Sequence, residues 1–159
     1  KDARLALRKT RDLGFKIYDL TNLKEFRRTW KKSVKFNRYV PPLKNLQTLK
    51  KAFGENSLFI TTKDGSAGAI FLLAEGAACY WQAFTSKEGR KNLHQYKIVW
   101  EGILWAKKMG ARIFDFEGIY DKRFPNRSWL GFTHFKKSFG GYEVEYPGCY
   151  TKTMLPFRL

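Results

Sequence analysis

Three short apolar segments in the middle of the chain constrain its fold more than any other feature. Residues 57–62, 67–74 and 78–84 are rich in aliphatic and aromatic side chains, which favour β-strands. An Asp-Gly dipeptide at 64–65 and a Glu-Gly dipeptide at 75–76 separate them, and such residues favour tight turns between antiparallel strands. The pattern therefore predicts a three-stranded antiparallel meander.

Helical and strand patterns on both sides of the meander extend this prediction. Residues 92–109 predict the longest helix, which ends at Gly110. Its predicted buried stripe consists of Leu93, Tyr96, Val99, Trp100, Ile103 and Leu104. Further helices are predicted at residues 3–13, 43–53 and 129–139 and after residue 22, and further strands at residues 15–18, 112–116, 142–146 and 149–155.

The succession of elements after the first helix is β-α-α-β-β-β-α-β-α-β-β. It predicts an α+β domain in which a mixed central sheet is flanked by helices. This is the order found in GNAT-type (acyl-CoA N-acyltransferase-like) proteins.

The positive charge is concentrated near the N-terminal end of the sequence. The net charge is +17, and residues 1–51 carry sixteen Lys and Arg against four Asp and Glu. Such a field attracts polyanions such as nucleic acid, anionic lipid and phosphorylated precursors, or it simply keeps a solvated surface soluble.

No apolar run approaches about 20 residues, and no secretory signal is visible. The two cysteines, Cys79 and Cys149, lack the spacing of metal ligands. We therefore expect a cytoplasmic protein without a metal site.

A run near the C-terminus carries the most specific signal. Residues 131–141 read Gly-Phe-Thr-His-Phe-Lys-Lys-Ser-Phe-Gly-Gly, and Tyr-Pro-Gly follows at 146–148. The run resembles the signature of the FemAB family, Gly-x-x-x-Phe-Lys-x-x-Phe-Gly before a closing strand pair. Residues 4–14, 92–101 and 115–118 also resemble, in order, the family's joining helix, its long central helix and the turn that follows it.

The resemblance implies a fold of two GNAT-like halves, of which this chain corresponds to the second. Residues 1–159 then form a single domain, residues 1–14 match the helix between the halves, and the N-terminal half is missing. The implied reaction moves an amino acid from aminoacyl-tRNA to the stem-peptide amino group of lipid II or of UDP-MurNAc-pentapeptide. The implied setting is cytoplasmic, with peripheral contact with the anionic inner face of the membrane. No cofactor is implied.

Three residues are candidates for the chemistry. Lys136 matches the lysine of the family motif, and it would stabilise the oxyanion of the tetrahedral state or hold the terminal phosphate of the tRNA. Asp115 and Glu117 lie two apart on a predicted strand, so both would point to one face and could accept the proton of the attacking amine. Pairing with one of the many basic side chains is the alternative role for both carboxylates.

Further residues are candidates for binding. The substrate-binding candidates are Phe135, Gly140, Gly141, Tyr80, Gln82, Arg38 and Lys35. Core packing is the alternative for Phe135 and Tyr80, and a helix stop with positive φ is the alternative for the two glycines. The tRNA-binding candidates are Arg27, Arg28, Lys31 and Lys32 on the basic face of a predicted helix. A solvated helix face is the alternative for that set.

Two other functions fit part of the pattern. A CoA-dependent GNAT N-acetyltransferase needs an Arg/Gln-x-x-Gly-x-Gly/Ala loop at the start of the long helix, where backbone N–H groups meet the pyrophosphate. Residues 85–92 contain one glycine and no such pattern, which argues against CoA. The other alternative is a non-catalytic module that binds RNA or an anionic membrane surface through its charge.

Overall fold

A single five-stranded sheet forms the centre of the molecule in the computed structural model, which describes residues 2–34 and 38–148. The strands follow the chain in spatial order, β1-β2-β3-β4-β5. They are β1 Phe15–Tyr18, β2 Ser57–Thr62, β3 Ala67–Ala74, β4 Ala77–Thr85 and β5 Ile113–Asp115. The first four pair antiparallel, and β2, β3 and β4 form the predicted meander. Strand β5 runs parallel to β4 over three residue pairs only, so the sheet is mixed.

Six α-helices pack around the sheet in the described part of the chain. They are α1 Asp2–Lys9, α2 Leu23–Val34, α3 Leu43–Phe53, α4 Lys87–Lys91, α5 His94–Lys108 and α6 Leu130–Lys137. The short helix α4 was not predicted, and it is capped by the Ser86 side chain, which accepts from the Gly89 amide. Leu93 separates α4 from α5 with φ of 61°, so the predicted helix at 92–109 begins two residues late. No helix of the described residues is long and apolar enough to cross a membrane.

Helices α2 and α3 cover one face of the sheet. Leu23, Phe26, Trp30 and Val34 of α2 are buried there, as their spacing on one helix face predicts. Phe26 is fully buried at the centre of a group of aromatic rings. The basic face of α2 therefore points away from the sheet.

Helix α5 covers the other face, but with a different stripe from the one predicted. Ile98, Val99, Gly102 and Ala106 are its buried residues, whereas Trp100 and Leu104 are exposed, and only Val99 of the predicted six is buried. The prediction was wrong because it followed the bulkiest side chains. Gly102 and Ala106 carry little hydrophobic signal, yet their small size lets α5 approach the sheet closely. A Cβ atom on Gly102 would lie 2.3 Å from the Phe71 ring.

Substituting alanine at two helical glycines is expected to change stability in opposite directions. Gly102→Ala forces the buried Phe71 ring to move, and such overpacking costs about 1–3 kcal/mol. Gly131→Ala meets no atom within 4 Å, and alanine is favoured over glycine in a helix by about 1 kcal/mol. Urea unfolding of both variants measures the difference. A Gly102→Ala protein as stable as the parent would show that α5 does not lie this close to the sheet.

The end of the described chain departs from the predicted closing strand pair. Residues 142–146, predicted as a strand, have no strand assignment, and Tyr142, Val144 and Tyr146 are exposed. A strand requires hydrogen bonds to a neighbour, and the segment predicted to pair with it, residues 149–155, lies outside the described residues. Elsewhere the predicted succession of strands and helices is present.

Candidate active site

A cleft of about 500 Å³ opens beside β4. One wall is formed by β4 and by the junction of α4 and α5, and the other by the loop after β5 and by α6. The residues that line it include Arg38, Tyr80, Gln82, Thr85, Leu93, Gln95, Tyr96, Glu117, Phe132, Phe135 and Lys136. The cleft thus brings together the signature lysine and several of the predicted site residues.

Lys136 is a half-buried cation at the edge of this cleft. Its Nζ donates to the Gly118 carbonyl at 2.6 Å and lies 5.1 Å from the centre of the Phe132 ring. Burial lowers the pKa of Lys136, and the nearby carboxylates of Glu117 and Asp115 partly oppose this effect. A desolvated positive charge of this kind interacts strongly with any developing negative charge.

The two predicted carboxylates do not lie on one strand face. Strand β5 ends at Asp115, and Glu117 follows in a turn with φ of 62°. The Asp115 carboxylate accepts from the Glu117 amide at 2.7 Å and thereby holds this turn. Only Glu117 lines the cleft. The prediction failed because it placed Glu117 on a strand that ends two residues earlier.

A polar chain forms part of the opposite wall. Gln95 Nε2 donates to the Tyr80 hydroxyl at 2.7 Å, and Thr85 Oγ1 donates to Gln95 Oε1 at 2.7 Å. Burial raises the pKa of Tyr80, so its hydroxyl remains protonated and can donate to a ligand. Gln82 lies next to Tyr80 along the cleft. The sequence argument missed Gln95 and Thr85, although a glutamine in the first turn of the predicted long helix was the available signal.

Comparison of the sequence with protein families identifies the family of the chain that carries this site. The model of the FemAB family matches residues 19–158, nearly the whole chain. The chain belongs to the FemAB family. No curated protein matches the sequence of this FemAB chain.

Solved structures similar to the FemAB chain confirm its GNAT-like α+β fold. FemX is 14% identical with a TM-score of 0.72, and the match covers 89% of this chain and 54% of FemX. An aminoglycoside acetyltransferase from an uncultured soil metagenomic sample, in complex with sisomicin, is 13% identical with a TM-score of 0.65. The match covers 90% of this chain and 97% of that acetyltransferase. An acetyltransferase of Trypanosoma brucei is 10% identical with a TM-score of 0.59, and the match covers 88% of this chain and 99% of the acetyltransferase. The FemAB chain thus spans about half of FemX but nearly the full length of these two acetyltransferases.

Aromatic rings hold α6 of the FemAB chain against α5. The ring centres of Tyr96 and Phe135 are 4.7 Å apart, and those of Tyr96 and Phe139 are 5.5 Å apart. Phe135 therefore packs within the protein and lines the cleft at once. Gly140 and Gly141 have φ of 87° and 99°, as predicted for a helix stop. Neither glycine lines the cleft that contains Lys136.

The predicted basic residues are placed in different surroundings. Arg38 lines the cleft, whereas Lys35 lies outside the described residues. On α2, Arg27 Nε donates to the Pro41 carbonyl at 2.7 Å. Arg28, Lys31 and Lys32 are exposed on that helix and do not line the cleft. Among the described residues, no group of three or more His, Cys, Asp and Glu could hold a metal ion.

Proposed function

We propose that this FemAB chain is the catalytic part of an aminoacyltransferase. In this proposal, an amino acid moves from aminoacyl-tRNA to the stem-peptide amino group of a peptidoglycan precursor, either lipid II or UDP-MurNAc-pentapeptide. The observation that carries it is Lys136, a half-buried cation of the family's motif inside a cleft. Because the chain spans about half of FemX, the proposal includes a second half of the protein as a partner in acceptor binding.

The residues of the cleft supply the groups that this reaction needs. The acceptor amine attacks the ester carbonyl of the aminoacyl-tRNA, a C–N bond forms, and the bond to the ribose oxygen breaks. Lys136 stabilises the negative charge on the carbonyl oxygen, or it holds the terminal phosphate of the tRNA. Glu117, which lines the same cleft, accepts the proton of the amine and passes it to the leaving ribose oxygen, which departs as a hydroxyl group. Asp115 holds the turn that carries Glu117, and its carboxylate adds negative charge near Lys136.

The proposed reaction uses no cofactor, because the ester of aminoacyl-tRNA is already an activated donor. The protein would act in the cytoplasm, and its basic surface would bring it to the anionic inner face of the membrane, where lipid II is available. The exposed basic residues of α2, Arg28, Lys31 and Lys32, are the proposed contacts for the tRNA backbone, together with Arg27.

A CoA-dependent acetyltransferase is the second candidate, and the acetyltransferase structures of similar fold favour it. The local geometry between β4 and α5 argues against it. The single glycine of this segment, Gly89, packs against the Ser66 carbonyl, where a Cβ atom would come within 2.5 Å. Its amide is already bonded to the Ser86 side chain. The segment therefore differs from a glycine-rich loop that presents free N–H groups to a pyrophosphate.

A comparison of donors tests the proposal. The chain is incubated with labelled amino acids on a mixed tRNA pool, or with labelled acetyl-CoA, and with UDP-MurNAc-pentapeptide or lipid II as acceptor. The same reactions are run with the chain extended to the length of FemX. We expect label to reach the peptide from tRNA and not from acetyl-CoA. Transfer from acetyl-CoA alone would replace the proposal by the second candidate, and RNA binding without transfer by either protein would identify a binding module.

A further inference from the structure

A second cleft, of about 1150 Å³, lies between α1, α5 and the end of α6. It is separate from the cleft that contains Lys136, and the proposed reaction assigns it no role. Its walls are unusual for a surface cleft, because three arginines of the α1 segment meet one exposed tryptophan of α5. These are Arg4, Arg8, Arg11 and Trp100, and Gly140 lies at the far end.

The three arginines form an uncompensated row of positive charge. Arg4 and Arg8 are one helical turn apart on α1, and Arg11 lies in the turn that follows this helix. All three are exposed, and none makes a hydrogen bond or an ion pair with another described residue. Of the two carboxylates of this segment, Asp2 is engaged by His134 at 3.0 Å, and Asp12 is exposed and makes no ion pair with a described residue. An anion is therefore the expected ligand of this row.

Trp100 indicates which class of anion the cleft would bind. Its side chain is 38% exposed, although it lies on the helix that covers the sheet. A row of basic side chains beside an exposed aromatic ring is the combination by which proteins bind single-stranded nucleic acid, since the phosphates meet the cations and a base stacks on the ring. A duplex keeps its base faces inside the stack, and a lipid headgroup has no base, so neither uses the tryptophan in this way.

We propose that this second cleft binds a single-stranded stretch of RNA. Arg4, Arg8 and Arg11 contact successive phosphates, and Trp100 stacks on a base. The inference rests on the proposed function, because a tRNA-linked donor brings a single-stranded 3′ end to Lys136. Phe135 of α6 lines the first cleft and Phe139, just after α6, lines the second, and both rings pack on Tyr96, so the two clefts lie on either side of one aromatic cluster. An RNA strand that enters the first cleft can continue into the second.

Binding of a 12-nucleotide single-stranded RNA, followed by fluorescence anisotropy of the full chain, tests the inference. The variant Arg4→Gln/Arg8→Gln/Arg11→Gln is expected to bind at least about tenfold more weakly. Its salt dependence should be flatter by about 2 in log–log slope, because three phosphate contacts of about 0.7 each are lost. The matched control, Lys44→Gln/Lys51→Gln/Lys108→Gln, removes the same charge from exposed positions outside both clefts and should weaken binding far less.

Trp100→Leu provides a second variant that leaves the charge unchanged. It should weaken single-stranded RNA binding at least about fivefold, which corresponds to loss of about 1 kcal/mol of stacking, and leave binding of a duplex RNA of equal length unaltered. Equal effects of the arginine and lysine variants would overturn the inference. So would an arginine-dependent binding of phosphatidylglycerol vesicles without a change in RNA binding.

The outcomes also distinguish this inference from the proposed function. Circular dichroism and thermal unfolding establish that each variant is folded. If the arginine variant keeps full RNA affinity while the parent transfers amino acids, only the inference fails. If the parent binds RNA through the arginines but transfers nothing from tRNA even at the length of FemX, only the proposed function fails.

Discussion

Replacing Lys136 with alanine is expected to lower the rate of amino-acid transfer by about 10²–10³-fold, while the fold is retained. Removal of one preorganised donor to a developing oxyanion has an effect of this size. The side chain is half-buried and its Nζ is fixed by the Gly118 carbonyl at 2.6 Å, so no solvent cation can take its place without reorganisation. Single-turnover transfer from charged tRNA, at saturating acceptor, measures the change.

The neighbouring lysine supplies the matched control for this experiment. Lys137 is exposed and pairs with Glu143 outside the cleft, so Lys137→Ala removes an identical charge from the same helix and should leave transfer within about twofold of the parent. Equal losses in the two variants would contradict a specific role for Lys136.

Because burial lowers the pKa of Lys136, transfer by the parent should also decline at alkaline pH before an ordinary lysine titrates. The transfer rate falls because Lys136 loses its positive charge as the pH rises through this lowered pKa.

Replacing Phe26 with alanine is expected to lower the free energy of unfolding by about 3–5 kcal/mol. The side chain is fully buried. Its ring lies 5.3–5.9 Å, centre to centre, from those of Tyr18, Trp30, Phe59 and Phe84. Deleting it opens a cavity at the centre of the core between α2 and the sheet and also removes four edge-on ring contacts. A loss of this size is a large part of the stability of a typical domain.

Urea unfolding monitored by tryptophan fluorescence measures the effect of the Phe26 substitution. Phe26→Leu keeps most of the buried volume and should be much less destabilised than Phe26→Ala. Phe124→Ala, at a position that is 62% exposed, should change the unfolding free energy by less than about 0.5 kcal/mol. A Phe26→Ala protein that unfolds at nearly the same urea concentration as Phe124→Ala would place this ring outside the core.

Local signals were sufficient to predict most of the secondary structure. The strands β1, β2 and β3 begin and end where their sequence patterns do, because each is bounded by turn residues or by a change of hydrophobic period. The buried face of α2 was predictable for the same reason. The buried face of α5 was not predictable, since two of its four buried residues are Gly102 and Ala106. Their small size is what lets the helix pack closely on the sheet. The close approach of Gly102 to the Phe71 ring can be recognised only when the positions of both residues in the fold are known.

The candidate site was predicted in its composition more than in its geometry. Lys136, Glu117, Tyr80 and Gln82 were predicted from motif and spacing, and all four line one cleft. Their partners were not predictable from local patterns. The link from Gln95 to Tyr80 spans 15 residues, and that from Lys136 to the Gly118 carbonyl spans 18. Long-range hydrogen bonds of this kind leave no periodic signal in a sequence.

The three-residue pairing between β4 and β5 has a consequence for the cleft. One wall belongs to β4, which is joined to β3 by eight residue pairs. The wall that carries Lys136 follows a strand joined to the sheet by three residue pairs, so it can open locally while the rest of the sheet stays closed. Hydrogen exchange should therefore be faster in α6 than in β3. A substrate that touches both walls would stabilise the closed arrangement by mass action, so that part of its binding free energy completes the folding of its own site.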